Sequence, residues 1–291
     1  MLLFDILLPG LVLGGMYAVI ALGLTLQYGV ARILNLSYGE SLVAAAFGAL
    51  SLYAGAGVSP LLALLLAVPI SFAVNWLLYR LVLLPAVRRS RDAGGAEIDS
   101  ILLTFGLLFV IQGVMLVAFG GQYYSYSYLS VPVVVLGSTL ALNRLVALAF
   151  ALVIAVAVYA ALTRTRLGTA VRAIAVEPNA ARLVGIDVPV VAGLVFAFGG
   201  ALVAAGGVLV SMFLTFNASM GVVFTMKALV VVVMGGVGNV MGALAAGLLL
   251  GVVETAVARL VDPGLTLAAT YAIFLAVLLI RPAGLFGMAA R

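Results

Sequence analysis

The chain has 291 residues, of which 66% are hydrophobic and only 8% are charged, and its mean hydropathy is +1.37. Soluble globular domains carry roughly 25% charged residues, so this composition excludes a soluble fold and indicates a protein embedded in lipid. The net charge of +5 does not indicate nucleic-acid binding, because the basic residues stand in short loops between apolar segments, and the lack of Cys and His excludes thiolate or imidazole metal sites and Ser-His-Asp triads.

Nine apolar segments follow one another along the chain, and a helix that spans a bilayer needs about 20 apolar residues. We therefore expect an all-α polytopic membrane protein with about nine transmembrane or partly spanning helices. The first segment is expected to be a retained helix, since the start of the chain lacks a basic region and a small-residue cleavage site. The segments cover about residues 6–30, 36–56, 59–84, 101–119, 144–162, 189–212, 221–236, 239–260 and 264–281.

The distribution of arginines predicts the orientation of the chain. If the basic loop 163–188 is cytoplasmic, alternation across nine segments places eleven arginines on the cytoplasmic side and two outside. This bias predicts an outside N-terminus and a cytoplasmic C-terminus. The two exceptions are Arg144 and Arg259, and the cytoplasmic set is Arg32, Arg80, Arg88, Arg89, Arg91, Arg164, Arg166, Arg172, Arg182, Arg281 and Arg291.

The NLSYG motif (35–39) opens the second segment, and a counterpart, NASMG (217–221), precedes the seventh. In one interpretation the Asn and Ser side chains cap the amides at a helix start, while the glycines allow close packing. In the other, uncapped amides and these side chains bind the charged ends of an amino acid, since helix N-termini favour carboxylates. Tyr38 and Glu40 are the residues of this region whose presence helix capping explains least. The candidate pathway residues are Asn35, Ser37, Tyr38, Gly39, Glu40, Asn217, Ser219 and Gly221.

The loop 163–188 is too polar to lie in lipid and too long for a simple turn. Good helix formers fill residues 170–175 and 179–184, and Glu177 and Pro178 between them predict a break and a restart. The loop is either a docking element or merely a basic connection on the cytoplasmic side.

The stretch Val222–Ala258 is too long for one straight span, because its 37 residues would form a helix of about 55 Å, whereas the hydrocarbon core is about 30 Å thick. The GGVGN run (235–239) is the predicted break. A broken helix at membrane depth is tolerated beside protein or a water-filled cavity. Gly235 and Gly236 are therefore candidate pathway residues.

Lys227 and Glu254 are ionisable residues within apolar segments, where each charge costs about 2.5 to 3.5 kcal/mol at a helix centre. The predicted topology places both at a similar depth, so we expect them to form an ion pair near the outer gate. A contact with a charged group of the substrate is the alternative. Both residues are candidates for the pathway.

Three landmarks recur in the same order at offsets of 179 to 185 residues, which indicates an internal duplication. GLVLGG from Gly10 has a loose counterpart in GLVFAFGG from Gly193, NLSYG matches NASMG, and RLVLLP from Arg80 parallels RLVDP from Arg259. Five spans separate the copies, and an odd number inverts the second copy. We therefore expect inverted repeats at about 6–119 and 189–281, joined by a linking helix at about 144–162, as in many transporters.

Longer motifs identify a family. Together they resemble the permease subunits of branched-chain amino-acid ABC transporters, the LivH-like subunit, over nearly the whole chain. The resemblance implies a single permease domain over residues 1–291 with the type II (vitamin-B12-type) importer fold, in the cytoplasmic (inner) membrane of a prokaryote. The motifs, in chain order, are ALGLTLQYGVARILNLSYGE, LGTAVRAIAVEPNAARLVGIDV, VVVMGGVGNVMGALAAGLLLGVVE and RPAGLFG.

The resemblance also implies partners: a sister permease subunit in a heterodimer, two cytoplasmic ATP-binding subunits, and a periplasmic or extracellular substrate-binding protein. ATP and Mg would be bound by the ATP-binding subunits, since this chain has no GxxxxGKS or GxxxxGKT motif. We expect no catalytic residue, cofactor or metal in the chain itself. In the resembled family, the loop 163–188 docks on the ATPase, a role that falls here to Arg172, Glu177, Asn179, Arg182 and Gly185.

The sequence leaves the substrate open between branched-chain amino acids and urea, short amides or aromatic acids, which related permeases carry. A stand-alone carrier driven by an ion gradient would also have inverted repeats, but it needs a coupling-ion site, and charges other than Lys227 and Glu254 are scarce at depth. A third class is an intramembrane enzyme or an assembly scaffold. An enzyme is disfavoured because the chain has no His, no Cys and no paired catalytic carboxylates. A scaffold would not explain the internal repeat or the broken helices.

Overall fold

The computed structural model describes residues 2–90, 93–135 and 138–287, and it confirms an all-α polytopic membrane protein. In this part of the chain, eight helices are long and apolar enough to cross a membrane. All nine predicted segments are helical, but the seventh, Gly221–Gly235, has only 15 residues and is not among these eight. The helices are α1 (Leu2–Leu26), α2 (Tyr38–Ala56), α3 (Pro60–Leu78), α4 (Leu84–Arg89), α5 (Ala93–Phe119), α6 (Leu142–Arg164), α7 (Arg166–Val176), α8 (Pro178–Leu183), α9 (Val188–Ser211), α10 (Gly221–Gly235), α11 (Val240–Leu260) and α12 (Thr266–Ile280).

Short turns of other helical types extend or join these helices. A π-helical turn, Gln27–Ala31, continues α1, a second, Tyr79–Leu83, joins α3 to α4, and a 3-10 turn, Pro263–Leu265, precedes α12. Two of the arginines used to predict the orientation, Arg91 and Arg291, lie outside the described residues.

Helices α1 and α9 form the buried centre of the molecule. α1 packs along α11, α9 packs against α2 and α3, and α1 and α9 also contact each other. Small residues allow these approaches: a Cβ on Gly14 would lie 2.7 Å from the Cα of Leu248, and one on Gly23 would lie 2.7 Å from the carbonyl oxygen of Gly199. Because lipid tails are as apolar as the side chains, close backbone packing of this kind is what holds membrane helices together.

An outer layer surrounds this centre. α3, α5, α6 and α12 expose large apolar side chains, including Leu65, Leu102, Val156 and Leu279. On a chain that crosses a membrane, such side chains meet lipid tails or a neighbouring subunit, so their exposure carries no penalty.

The connection between α5 and α6 folds over one end of the helices. It contains an antiparallel hairpin of β1 (Pro132–Val135) and β2 (Ser138–Ala141), which the sequence did not predict. Before the hairpin, Tyr124 exchanges two backbone hydrogen bonds with Phe216, at 2.8 and 2.9 Å. Tyr126 lies 2.8 Å from the Ser211 hydroxyl, and burial raises the pKa of Tyr126 above its ordinary value. These contacts fix the connection against the chain between α9 and α10.

Candidate functional site

The two Asn motifs make the same local turn, and each turn leads into a helix. The Asn35 side-chain oxygen accepts hydrogen bonds from the backbone N–H of Ser37 at 3.1 Å and from its hydroxyl at 2.8 Å. The Asn217 side-chain oxygen accepts one from the backbone N–H of Ser219 at 3.1 Å. Both are Asx turns, in which an Asn side chain bonds the backbone two residues on.

The turns do not support the first of the two interpretations, in which these side chains cap the two helices. Helix α2 begins at Tyr38 and α10 at Gly221, and neither helix start receives a side-chain cap. The Asn oxygens instead accept from residues that precede each helix, in the Asx turns. The first amides of both helices are consequently left without a capping side chain of their own motif.

The starts of α2 and α10 meet inside the protein at Gly39 and Gly221, the last residues of the two motifs. A Cβ on Gly39 would overlap the carbonyl oxygen of Gly221, so only glycine fits here. Thr225, one turn into α10, accepts a hydrogen bond from the Gly39 N–H at 2.8 Å and donates one to the Gly221 carbonyl at 3.1 Å. We call this contact the helix crossing. The sequence analysis did not single out Thr225.

Asn35, Ser37, Tyr38 and Glu40 are buried around the helix crossing, whereas Ser219 is exposed. The structure therefore brings most of the first motif to the crossing but leaves part of the second motif at the surface. The Asn35 amide also donates to Gln27 at 3.3 Å, which links the turn to the end of α1.

Tyr38 and Glu40 are both fully buried, but their polar groups differ in their contacts. The Tyr38 hydroxyl lies 2.7 Å from the carbonyl oxygen of Ile20 and 3.3 Å from that of Gly199, so it joins α2 to α1 and α9. The carboxyl group of Glu40 packs against Gly221, and neither of its oxygens has a hydrogen-bond partner among the described residues. Burial of an unpartnered carboxyl group is costly, so Glu40 is the least explained polar residue of the site.

Lys227 and Glu254 form the ion pair that their depths predicted. The Lys227 Nζ lies 2.9 Å from each carboxylate oxygen of Glu254 and donates to the Tyr17 hydroxyl at 2.6 Å. Tyr17 donates to Glu254 at 2.7 Å and Thr270 does so at 2.6 Å, while the Lys227 Nζ lies 4.7 Å from the centre of the Tyr17 ring. These four side chains, which we call the charged cluster, join α1, α10, α11 and α12. Tyr17 and Thr270 were not predicted.

A cavity of about 310 Å³ lies beside the charged cluster. Its lining includes Glu254 together with Arg144 and Arg259, the two arginines that the sequence places on the outer side against the general bias. Most of the remaining lining is apolar. The two exceptions to the charge rule therefore share one location.

The predicted break between α10 and α11 is confirmed. Gly236 and Gly238 there have φ angles of 98° and 78°, a conformation that suits glycine. The chain end after α12 folds over the break, where Leu285 N–H donates to the Met234 carbonyl at 2.7 Å and Phe286 N–H donates to the Gly235 carbonyl at 3.3 Å. The carbonyls at the end of α10, which have no partners within the helix, are thus satisfied by the RPAGLFG segment.

The loop between α6 and α9 folds into the two short helices that the sequence predicted, α7 and α8. Glu177 separates them, and its side chain caps α8 by accepting from the Asn179 N–H at 3.3 Å. Gly185 ends the pair with a φ of 83°. The predicted docking residues Arg172, Glu177, Asn179, Arg182 and Gly185 are all exposed, as are the apolar side chains of Val176, Leu183 and Val184.

Comparison with known proteins gives consistent matches over nearly the full length. The model of a family described as branched-chain amino acid transport system / permease component matches residues 6–281. The chain is 28% identical to the high-affinity branched-chain amino acid transport system permease protein LivH of Salmonella typhimurium and to that of Escherichia coli K12, over 96% of this chain and 93% of each relative. It is also 28% identical to BraD, a protein of the same description from Pseudomonas aeruginosa, over 97% of this chain and 94% of the relative. Among solved structures it is similar to PsaBC from Streptococcus pneumoniae in complex with Fab, with 10% identity and a TM-score of 0.49 over 96% of this chain and 92% of that one.

Proposed function

The chain belongs to the family of branched-chain amino acid transport permeases, and on that premise we propose that it is one transmembrane subunit of an ATP-driven importer that carries branched-chain or similar small amino acids inward. The observation that carries the proposal is the helix crossing, where two buried helix starts meet at Gly39 and Gly221. In transporters, the positive ends of interrupted helices near the midplane bind the anionic groups of substrates.

The packing of the helices supports an inverted repeat. Exchanging the proposed halves, 6–119 and 189–281, converts the contact of α1 with α11 into the contact of α9 with α3, and both contacts are extensive. The exchange also brings Gly39 onto Gly221, and these two residues touch. Residues on a pseudo-two-fold axis contact their own counterparts in this way. We propose accordingly that the chain has the type II importer fold, with 144–162 as the linking helix.

The proposed pathway passes the helix crossing. Its walls are the residues of the two Asn motifs with Glu40, the charged cluster lies further along α10, and Gly235 and Gly236 lie at the inner end of that helix. In this structure the crossing is closed, since Tyr38 and Glu40 are fully buried. Transport then requires the two halves to separate at the crossing in alternation. This is a rocking motion about a fixed site.

We propose that α7 and α8 couple this motion to ATP hydrolysis by two cytoplasmic subunits, which bind the ATP and Mg. Apolar side chains exposed on an otherwise polar loop mark an interaction surface, and Val176, Leu183 and Val184 are more than 70% exposed. A sister permease and an external substrate-binding protein complete the complex. This arrangement requires α7 and α8 to lie in the cytoplasm.

The orientation can be tested with single cysteines, because the natural chain has none. Leu183→Cys, on α8, and Val261→Cys, after α11, introduce thiols at positions that are 89% and 69% exposed. In sealed right-side-out vesicles, a membrane-impermeant maleimide is expected to label Val261→Cys at once. It is expected to label Leu183→Cys only after permeabilisation. The reverse pattern would contradict an outside N-terminus.

Coupling can be tested with Glu177→Arg in the reconstituted complex of both permeases, the ATPase subunits and the binding protein. The change removes the cap of α8 and reverses a charge on the proposed docking surface. We expect substrate-stimulated ATPase activity to fall at least about tenfold, because each 1.4 kcal/mol of lost docking free energy is a factor of ten. The measurement is ATPase activity during titration with a panel of small substrates that includes leucine.

The matched control is Asp262→Arg, which removes a similar acidic cap, made by Asp262 to the Gly264 N–H at 2.6 Å, on the proposed outer side. It is expected to leave coupling unchanged. If no member of the panel stimulates the wild-type complex, while proteoliposomes of this chain alone take up substrate on an ion gradient, the chain is a secondary carrier instead.

A further inference from the structure

Two buried carboxylates in the membrane-spanning part of the chain, Glu254 and Glu40, differ in their hydrogen-bond partners. Glu254 accepts hydrogen bonds from Lys227, Tyr17 and Thr270. Glu40 is 0% exposed, and neither of its oxygens has a partner among the described residues. An ionisable residue within a membrane is a functional candidate by default. The charged cluster explains Glu254, whereas the fold gives no explanation for Glu40.

The surroundings of Glu40 favour a carboxylate and supply no basic side chain, so they fit a site that binds a cation. Its carboxyl group packs against Gly221, the first residue of α10, and Glu40 itself lies in the first turn of α2. The positive ends of two helices therefore meet at this carboxyl group, and they favour its ionised form. The only ion pair in the described part of the chain joins Lys227 to Glu254, so no basic side chain neutralises Glu40.

We infer that Glu40 binds the ammonium group of the substrate when the helix crossing opens, while the first amides of α10, which have no capping side chain, bind the substrate carboxylate. This inference rests on the proposed function and deepens it, because it makes the pathway selective for zwitterionic amino acids. Urea or an amide would leave the Glu40 carboxylate unpaired. An acid without an ammonium group would place two like charges together, which opposes its binding.

The test compares leucine with 4-methylpentanoate, which has the same shape and carboxylate but lacks the ammonium group. Binding of each to the detergent-purified transporter complex, without the binding protein, is measured by ligand-induced thermal stabilisation at millimolar concentrations, since a ligand that binds only the folded state raises its stability. We expect wild type to bind leucine at least about tenfold more tightly, which corresponds to about 1.4 kcal/mol. In Glu40→Gln, which keeps the size of the side chain, this preference is expected to fall to near one.

The matched control is Glu97→Gln, the same change in a residue of α5 whose carboxylate already accepts from Tyr28 at 3.0 Å; it is expected to keep the preference. If wild type bound leucine and 4-methylpentanoate equally well, that result alone would overturn the inference. A preference that persists in Glu40→Gln would show that Glu40 is a structural carboxyl group. Both results would leave the proposed function intact, because that is judged separately from stimulation of the wild-type ATPase.

Discussion

Lys227→Met is expected to lower the free energy of unfolding of the chain by about 3 to 5 kcal/mol, because it leaves the buried Glu254 carboxylate without its cation. Tyr17 and Thr270 would still donate hydrogen bonds to Glu254, but they carry no charge. The cluster ties together four helices, so the loss is expected to appear in the unfolding of the whole chain. The measurement is the unfolding transition of the purified protein in mixed micelles with increasing SDS.

The double variant Lys227→Met/Glu254→Gln tests whether the unpaired charge of Glu254 causes this loss of stability. Removing both charges replaces a buried ion pair by neutral groups, which is often close to neutral in stability, so most of the loss should be recovered. Arg259→Met serves as the control on the exposed end of α11 and should change the stability by less than about 0.5 kcal/mol. A single variant as stable as wild type would mean that water reaches the pair.

Gly39→Ala is expected to be the most damaging single-methyl change at the helix crossing. The added Cβ would overlap the Gly221 carbonyl oxygen, and overpacking of this kind costs about 1 to 3 kcal/mol. Because the overlap pushes apart the two helix starts that line the proposed pathway, we also expect loss of substrate-stimulated ATPase activity in the reconstituted complex. Both quantities are measured on the same preparation.

Gly48→Ala provides a matched control nine residues further along α2. A Cβ on Gly48 meets no atom within 4 Å, so the change should stabilise the helix by about 0.5 to 1 kcal/mol and leave transport unchanged. If Gly39→Ala behaved like Gly48→Ala, the two helix starts would not be in contact in the membrane.

Hydropathy alone was sufficient to predict most of the fold, because each helix that crosses a membrane needs a long apolar segment. The same length argument predicted the break at Gly235. It failed where helices or strands leave the lipid: α5 begins at Ala93, well before the predicted residue 101, and the hairpin of β1 and β2 was missed. Outside the membrane, water satisfies backbone groups equally well in helices, strands or loops, so hydropathy no longer determines the structure.

The candidate site was predictable only in part, for a related reason. The positions of Lys227 and Glu254 within their two segments predicted a similar depth in the membrane, and the two side chains pair as predicted. Tyr17 and Thr270 are 237 and 16 residues from Glu254 in the sequence, and nothing in their local sequence indicates that they meet it. Thr225 was missed because its role depends on a contact between two distant helix starts. The sequence indicates which polar groups need partners, whereas the packing decides which partners they find.

The segment that folds over the break between α10 and α11 has a consequence for biosynthesis. The carbonyls of Met234 and Gly235 receive their hydrogen bonds from Leu285 and Phe286, about fifty residues further along the chain. A ribosome that adds 5 to 20 residues per second needs roughly 3 to 10 s to make that stretch. During this interval the carbonyls at the end of α10 lack these hydrogen-bond partners. The hydrogen bonds at the end of α10 therefore form only after α11 and α12 have been made, so a chain truncated before residue 285 would leave the carbonyls of Met234 and Gly235 without these partners.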